Sequence, residues 1–303
     1  MWYAILMSAH ALAAEGMWLP GQIRAEQLES LGFEIGTGDI SKPEGPVLGP
    51  VVSLGHCTAS FVSADGLLIT NGHCVRSYLQ YASQDGKDRV RDGFIAPDRA
   101  GEAWAGPAAR IFIPEETRDV TAQIEDNLKS ARSDAARHDE LQRMQAYITS
   151  TCEAEGGVRC EVVSYYGGQR WELVKYREIL DLRLVYAPPD EVVFFGGETD
   201  NWMWPRHSGD VALLRAYVGA DSQPSPHSES NQPYQPQEWL RISTEDLDPG
   251  DPMLIAGFPG STGRYRTAAE IKHAALIRYP DGIDLFTDLI RTLREHAISS
   301  DQA

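Results

Sequence analysis

The segment from Val51 to Cys74, VVSLGHCTASFVSADGLLITNGHC, constrains the fold more than any other part of the sequence. Two short apolar runs flank SADG, and its Asp65-Gly66 pair is a strong signal for a tight turn between antiparallel strands. His73 and Cys74 follow where the second run ends. The segment therefore predicts an antiparallel hairpin that leads into a rigid turn carrying a histidine.

The remaining sequence predicts a mainly β protein with a helical insertion. The runs RWELVKYREI, LDLRLVYAPP, EVVFFGG and DVALLRAYVG read as strands, and ADSQPSPHSESNQPYQPQEW reads as a solvated loop. A segment without Gly or Pro predicts one amphipathic surface helix near residues 121–150. We therefore expect a β-barrel domain over residues 14–264 and the start of a helical domain over residues 265–303.

The first residues indicate export from the cytoplasm. MWYAILMSAHALAAEG contains an apolar stretch free of Asp, Glu, Lys and Arg that closes on Ala-Leu-Ala before a glutamate. This pattern predicts a signal peptide over residues 1–13 and a periplasmic, cell-surface or secreted location. The alternative is a buried N-terminal helix. No other run approaches the roughly 20 apolar residues of a spanning helix, so we expect no membrane span.

The charge balance of the chain argues against polyanionic partners. The chain has 44 acidic against 27 basic residues and a formal net charge of −17. A surface of this sign repels nucleic acid and anionic membrane surfaces, so we expect neither as a partner.

Four cysteines fit an exported protein, because an oxidising compartment lets them pair. Cys57 and Cys74 bracket a strand pair, and Cys152 and Cys160 bracket a short loop with two adjacent glycines. We predict these two disulfides, although four cysteines permit three pairings. Zinc binding is the competing use. No C-x-x-C pair is present, and neighbouring side chains on a strand point to opposite faces, so we predict no metal and no cofactor.

His73 has three interpretations at this stage: general base, metal ligand or turn residue. A histidine held at a rigid strand end suits a general base, because histidine exchanges protons near neutral pH. Taken alone, such a residue is more often structural, so the sequence context has to decide.

That context resembles a known family. A CTASFVS strand, an apolar strand and a histidine followed by cysteine resemble serine peptidases with the chymotrypsin-like double β-barrel. More narrowly, EGMWLP, CTASFVSADGLLITNGHC, TDNWMWPRHSGDVALLRAYV and AGFPGSTGRYRT are similar, in order, to motifs of the S46 family of bacterial dipeptidyl peptidases. These motifs span most of the chain.

The resemblance implies a fold and an activity. The fold would be the first part only of a chymotrypsin-like double β-barrel, followed by the start of an α-helical domain. The activity would be release of dipeptides from free N-termini by a Ser-His-Asp triad. His73 would be the base and Asp210 its orienting acid. Asn201 and Trp202 would bind the substrate's N-terminal ammonium, through an amide oxygen and cation–π attraction.

Each assignment has a structural alternative. Asp210 could be a strand-start residue, and Asp200 is the second candidate for the acid. Trp202 could be a core aromatic on an extended chain. His207 and His56 read as structural or exposed turn residues.

The nucleophile is missing from this pattern. Triad peptidases place serine in a G-x-S-G-like turn whose N–H groups form an oxyanion hole. Ser261, in GFPGSTGRY, lies between glycines but reads as a turn residue. The resemblance puts the serine downstream of the helical domain, so we expect this chain to be an N-terminal portion that is inactive alone.

Two other functions stay open. One is a secreted, non-catalytic binding protein on a trypsin-like barrel, and the other is a conventional secreted endopeptidase. The expected partners are peptide substrates with a free N-terminus. Side-chain preference is not readable from the sequence, and neither is the oligomeric state, although the family suggests a homodimer for a full-length protein.

Overall fold

A computed structural model describes residues 17–154, 156–197, 199, 203–260 and 266–300. The predicted signal peptide lies outside these residues. Contacts divide the chain into two units, Met1–Phe258 and Pro259–Ala303.

The first unit contains groups of strands separated by helices. Its strands are β1 Val51–Ser53, β2 Thr58–Phe61, β3 Leu67–Thr70, β4 Phe94–Ile95, β5 Ala103–Trp104, β6 Ile111–Asp119, β7 Val158–Tyr165, β8 Arg170–Ile179, β9 Asp181–Ala187, β10 Ala212–Val218 and β11 Gln232–Pro233. Its α-helices are α1 Ala25–Ser30, α2 Thr37–Ser41, α3 Arg76–Ala82, α4 Arg89–Asp92, α5 Thr121–Leu128, α6 Asp134–Glu153 and α7 Asp190–Val193. Turns of 3₁₀ helix occupy Pro20–Gln22, His73–Val75, Ser83–Asp85 and Arg99–Gly101.

The strands form one antiparallel sheet that returns on itself. Its order is β4-β9-β10-β3-β2-β1-β6-β8-β7, with β11 beside β10 and β5 beside β9. β8 and β9 are separated by a single residue, so they are two halves of nearly continuous chain. One half pairs with β6 and the other with β10, and the path from β1 through β10 therefore leads back to β1. The unit is mainly β with helices attached.

The predicted β2–β3 hairpin is present and contributes to the main core. Its two strands alternate between half-buried and buried positions. Phe61 and Leu68 are fully buried and belong to the same apolar cluster as Leu214 of β10. Each such side chain contributes roughly 1.5–3 kcal/mol through burial. Gly66 has φ +69°, and a Cβ there would lie 2.7 Å from the carbonyl oxygen of Tyr234, so the turn accepts only glycine without strain.

The single surface helix predicted near residues 121–150 is wrong, because the structure has two helices there. α5 ends at Leu128, and α6 begins after Ser133, whose hydroxyl accepts a hydrogen bond from the N–H of Ala136. An N-cap serine accepts a hydrogen bond from one of the first free N–H groups of a helix, which favours the start of a new helix at this position. Both helices pack on β7 and β8 through a second apolar cluster that includes Ile124 and Ile148.

The run EVVFFGG is also not a strand. It forms the short helix α7 and a following turn. Pro189 precedes the helix, and two acids, Asp190 and Glu191, occupy its first turn. Their negative charges interact favourably with the positive end of the helix dipole. Gly196 and Gly197 then have φ +82° and +57°, which turn the chain out of the helix.

The Pro- and Ser-rich loop after β10 is anchored rather than merely solvated. His227 and Asn231 both hydrogen-bond to Asp181, which is fully buried on β9. Tyr234 packs against the main core. The composition predicted irregular backbone, and the loop is irregular apart from the short strand β11. The composition did not predict the contacts that attach the loop to the sheet and the core.

The second unit is helical, as its periodicity predicted. It contains α8 Ala268–His273, a π-helical turn Ala274–Arg278 and α9 Tyr279–Ser300. Thr267 caps α8 by accepting a hydrogen bond from the N–H of Glu270. Neither this unit nor any other described part of the chain has a helix with the length and apolar character needed to cross a membrane.

Candidate active site

The candidate site starts from the turn that follows β3. The chain leaves the strand at Thr70 and turns through Asn71 and Gly72 into the 3₁₀ segment His73–Val75. The N–H of Cys74 donates to the carbonyl of Asn71 at 3.2 Å. Cys74 and Val75 are buried, whereas 48% of the His73 side chain is exposed. The turn thus fixes the backbone firmly and leaves the imidazole accessible.

Both disulfides have the predicted pairing. Cys57–Cys74 joins the loop between β1 and β2 to this turn, with 6.2 Å between the Cα atoms. Cys152–Cys160 joins the end of α6 to β7, also with 6.2 Å between the Cα atoms. The first therefore braces the candidate site, and the second braces the α5–α6 subregion.

Strand register brings Asp210 to His73. β10 pairs with β3, and Ala212 lies opposite Thr70, so the residues just before β10 lie beside the turn just after β3. His73 Nδ1 is 2.8 Å from Asp210 Oδ2, and the His73 N–H donates to Asp210 Oδ1 at 2.9 Å. The contact spans 137 residues of sequence.

The Asp210 carboxylate is held by more than this histidine. Asn71 Nδ2 donates to Asp210 Oδ2 at 3.2 Å and to its main-chain carbonyl at 3.1 Å. Arg206 Nη2 lies 3.9 Å from the same carboxylate oxygen. Only 10% of the Asp210 side chain is exposed. The hydrogen bonds from Asn71 and from the His73 N–H therefore fix the position of the carboxylate beside the imidazole.

This arrangement selects one tautomer of the His73 imidazole. An ionised carboxylate only accepts hydrogen bonds, so Nδ1 of His73 carries the proton that Asp210 binds. In the neutral ring Nε2 then has a free lone pair. No described serine hydroxyl is hydrogen-bonded to the His73 ring. The pair can take up a proton at Nε2 and stabilise the resulting cation.

α7 packs against the back of the turn. A Cβ at Gly72 would lie 2.7 Å from a methyl carbon of Val193 and 3.3 Å from Asp210 Oδ1. The N–H of Gly209 donates to the carbonyl of Val192 at 2.9 Å. Glycines on both sides of the pair therefore allow the helix to approach closely.

The other predicted site residues fall into two groups. Asn201 and Trp202, the predicted ammonium binders, lie outside the described residues, as do Asp200 and Ser261. His207 is exposed. His56 has a structural contact, because its Nε2 lies 3.1 Å from the carbonyl oxygen of Cys74. That contact adds a further attachment between the two loops that the disulfide joins.

His73 and Cys74 do not point to opposite faces, contrary to what the strand interpretation predicted. The ligand atoms of Cys57, His73 and Cys74 all lie within 4.8 Å of one another. Neighbouring side chains diverge on an extended strand, but His73 and Cys74 lie on a 3₁₀ turn. In the structure the two sulfur atoms are bonded to each other, so neither is a thiolate ligand.

A second histidine–aspartate pair was not predicted from the sequence. His227 Nδ1 lies 2.9 Å from Asp181 Oδ1, and Asp181 also accepts from Arg183 Nη2 at 2.9 Å and Asn231 Nδ2 at 3.0 Å. The His227 ring is stacked on Trp104 at 4.5 Å between centroids. Burial alone would raise the pKa of Asp181, but the hydrogen bonds from these three partners outweigh it and hold the pKa below its usual value.

A signal for this second pair was present in the strand pattern. Asp181 and Arg183 are two residues apart in LDLRLVYA, so they share a face of an otherwise apolar strand. Two opposite charges on one face of a core strand indicate a buried ion pair with further partners.

The sequence profile of the family described as Peptidase S46 matches residues 13–303. The chain is 38% identical over 278 residues to the Asp/Glu-specific dipeptidyl-peptidase of Shewanella putrefaciens, covering 91% of this chain and 38% of the relative. It is 35% identical over 263 residues to dipeptidyl-peptidase 7 of Porphyromonas endodontalis, covering 85% of this chain and 32% of that protein.

Solved structures are similar as well. The crystal structure of Porphyromonas endodontalis DPP11 in complex with the dipeptide Arg-Asp superposes with a TM-score of 0.77 at 32% identity, over 87% of this chain and 39% of that one. An alternate conformation of the same protein gives 0.77 at 31% identity, over 92% and 43%. The chain thus spans well under half the length of these relatives.

Proposed function

The chain belongs to the Peptidase S46 family, and from this premise we propose that it supplies the base and the orienting acid of a serine-type dipeptidyl peptidase. Such an enzyme releases dipeptides from the free N-termini of peptides. The observation that carries the proposal is the hydrogen bond of 2.8 Å between His73 Nδ1 and Asp210 Oδ2. Relatives named as dipeptidyl peptidases support the reaction type.

In the proposed mechanism His73 acts twice. Its Nε2 takes the proton from a serine hydroxyl as the oxygen attacks the scissile carbonyl carbon, and Asp210 stabilises the imidazolium that forms. The imidazolium then gives this proton to the departing amine, which leaves an acyl-enzyme. A water molecule repeats both steps, and the dipeptide leaves as its carboxylic acid. Asn71 keeps Asp210 aligned during both transfers.

We assign the nucleophilic serine to sequence outside these 303 residues. The matched relatives are much longer, since this chain covers 38% of the first relative and 39% of the first structure. The absence of a described serine hydroxyl on the His73 ring is consistent with that assignment. On this proposal the 303-residue chain alone has no peptidase activity.

The finer fold belongs to the same proposal. The sheet path that returns to β1 through β8 and β9 supports one barrel of a chymotrypsin-like double barrel. The second barrel would carry the serine and the oxyanion hole, and the helices beyond residue 265 would begin a helical domain. The catalytic groups would then meet between the two barrels.

Recognition of the free N-terminus is assigned to Asn201 and Trp202. The side-chain amide oxygen of asparagine accepts a hydrogen bond from an ammonium group, and an indole face attracts a cation. This end of the site would block longer chains and so fix the product as a dipeptide. The relatives include both Asp/Glu-specific enzymes and dipeptidyl-peptidase 7 at similar identity, so we propose no preference between acidic and apolar substrates.

We further propose that the enzyme works in the periplasm, on the cell surface or outside the cell, as a homodimer when complete. The two disulfides support an oxidising location, because they would not persist in a reducing cytoplasm.

The test compares two proteins on one substrate. The product of the complete reading frame should cleave a dipeptidyl chromogenic substrate and be inhibited by a serine-directed reagent, whereas the 303-residue chain should not cleave it. The same substrate with a blocked N-terminus should resist both proteins. Serine-reagent-sensitive turnover by the 303-residue chain alone would overturn the assignment of the nucleophile.

A second comparison addresses substrate recognition. Asn201→Ala in the complete protein should raise KM for free N-termini, because the ammonium loses a hydrogen-bond acceptor. Equal cleavage of blocked and free peptides by the unmodified complete protein would favour a conventional endopeptidase instead.

A further inference from the structure

The turn that carries His73 places an imidazole beside a disulfide whose two sulfur atoms would be metal ligands only as free thiolates. The sulfur atoms of Cys57 and Cys74 and a ring nitrogen of His73 lie within 4.8 Å of one another. Thiolates and imidazoles are the ligands that zinc and cadmium prefer in proteins. Three protein ligands with an open fourth position are typical of accessible zinc sites.

We propose that reduction of Cys57–Cys74 converts this cluster into a metal site. A phosphine together with one water molecule, or a dithiol alone, supplies the two electrons and two protons that convert the disulfide into two thiols. The phosphine leaves as its oxide with the oxygen of that water, and the dithiol leaves as its own disulfide. A Zn²⁺ or Cd²⁺ ion then displaces the thiol protons and is bound by two thiolates and the imidazole. Water occupies the fourth position.

The backbone around the cluster is held by bonds other than the disulfide. The Leu54 N–H donates to the carbonyl of Cys57 at 2.8 Å, and His56 Nε2 lies 3.1 Å from the carbonyl oxygen of Cys74. The His73 N–H is bound to Asp210 at 2.9 Å. Cleaving the sulfur–sulfur bond therefore leaves both loops attached to the same positions. The two sulfur atoms need only move apart by side-chain rotation to admit an ion.

Metal binding would remove His73 from proton transfer. If Nε2 binds the ion, its lone pair is no longer available for a proton. If Nδ1 binds the ion, its hydrogen bond to Asp210 is lost. Either mode makes the cluster a reduction-dependent inhibitory site. The binding step itself needs no serine, so it stands independently of the proposed peptidase activity.

The chain offers a matched control. Cys152–Cys160 has the same separation of 6.2 Å between Cα atoms as Cys57–Cys74. Within the described residues, the cluster around His73 is the group in which three such ligands meet, and Cys152–Cys160 is not part of one. Comparing the two pairs therefore isolates the contribution of the histidine.

The experiment uses the Cys152→Ser/Cys160→Ser variant, reduced with a phosphine that is then removed without air. Cd²⁺ titration should give thiolate-to-metal absorption in the ultraviolet that saturates at one ion per chain, and Zn²⁺ should compete with it. Adding His73→Gln should weaken binding by at least about tenfold, because one of three ligands is lost. The reduced Cys57→Ser/Cys74→Ser variant should bind more weakly by a similar factor or not at all.

Three results would overturn the proposal. The first is no saturable binding by the reduced Cys152→Ser/Cys160→Ser variant. The second is equal affinity with and without His73→Gln. The third is loss of near-ultraviolet circular dichroism on reduction that metal does not restore, which would mean that the loops do not hold the ligands together. In the complete protein, Zn²⁺ should inhibit only after reduction, and recovery with a chelator should follow.

Discussion

The described residues include two histidine–aspartate pairs with almost the same geometry. His73 Nδ1 lies 2.8 Å from Asp210, and His227 Nδ1 lies 2.9 Å from Asp181. The surroundings differ. The side chains of His73 and Asp210 are 48% and 10% exposed, whereas those of His227 and Asp181 are 28% and 0% exposed. Distance alone therefore does not separate a candidate base from a structural histidine.

The two pairs differ in the other groups that contact each carboxylate. Asp181 is paired at 2.9 Å with Arg183, so its charge is already neutralised at close range. The Arg183 guanidinium also lies over the Tyr217 ring at 3.8 Å and donates to the carbonyl of Ser228. Around Asp210 the nearest cation of the described residues, Arg206, is 3.9 Å away. Asp210 can thus stabilise a charge that appears on its histidine, while Asp181 stabilises a charge that is permanently present.

The largest expected effect is on the first pair. Asp210→Asn in the complete protein should lower kcat by about 10⁴-fold, because an amide favours the wrong tautomer of the imidazole and does not stabilise its cation. Asp181→Asn should leave kcat of the folded protein within about threefold of the unmodified value, since Asp181 takes no part in proton transfer. Both rates are measured at saturating substrate, with the folded fraction determined by circular dichroism.

Equal loss of kcat in the two variants would contradict this comparison. It would mean that the second pair also takes part in catalysis, or that the first is structural.

The next largest effect is on the free energy of unfolding, and here the change at Asp181 should cost more than the change at Asp210. Asp181→Asn leaves the buried Arg183 without its counter-charge, and such a change costs roughly 3–5 kcal/mol. Asp210→Asn should cost less, because His73 and Arg206 are both exposed enough to be solvated. Urea unfolding of the 303-residue chain at pH 7 measures both. A smaller loss of unfolding free energy for Asp181→Asn than for Asp210→Asn would contradict this prediction.

The same variant has a defined pH dependence. The pKa of Asp181 is lowered in the folded protein, so its stabilising contribution is complete above the unfolded value of about 3.9. That contribution is lost as the pH falls below this value and through the folded pKa. The difference in unfolding free energy between the unmodified chain and Asp181→Asn should therefore shrink as the pH falls below about 4.

The sequence located the first pair but not the second, for a physical reason. The antiparallel hairpin and the turn at His73 follow from local signals, namely Asp65-Gly66 and the alternation around it. The choice of Asp210 came from a family resemblance, because a contact across 137 residues depends on the register of β3 and β10. His227 lies in a Pro- and Ser-rich segment, whose composition predicts solvent exposure and carries no sign of its contact with β9.

Local errors have a similar origin. EVVFFGG has the composition of a buried strand, yet Pro189 and two acids start a helix there. The helix predicted near residues 121–150 divides at Ser133, because a serine side chain can satisfy the first free N–H groups of a second helix. In both segments the residues that start a helix determined the structure, and the average composition of the segment did not.

A smaller effect separates the two asparagines that support the pairs. Asn71 donates to Asp210, and Asn231 donates to Asp181. Asn71→Ala in the complete protein should lower kcat about tenfold and shift the pH profile of kcat, because the loss of one donor changes how strongly Asp210 favours the imidazolium. Asn231→Ala should lower the unfolding free energy by roughly 1–2 kcal/mol and leave the pH profile unchanged.

The outcome that would reject a positioning role for Asn71 is a lowered kcat with an unmoved pH profile. A stability loss alone changes the amount of folded enzyme, not the proton equilibria of its site. Asn71→Ser, which keeps a shorter donor, should restore part of the rate if the hydrogen bond is what matters.

The smallest effect is the loss of stability expected for a substitution at His227, and the same substitution at His73 serves as its comparison. His227→Gln retains an amide donor that can reach Asp181 and loses the ring stacked on Trp104 at 4.5 Å. It should therefore lower the unfolding free energy by only about 1 kcal/mol and leave kcat unchanged. His73→Gln should abolish turnover with little change in stability, because 48% of that side chain is exposed and glutamine accepts no proton at neutral pH. Loss of turnover in His227→Gln without unfolding would show that an Asp–His pair functions here despite a neutralised carboxylate, and the distinction between the two pairs would fail.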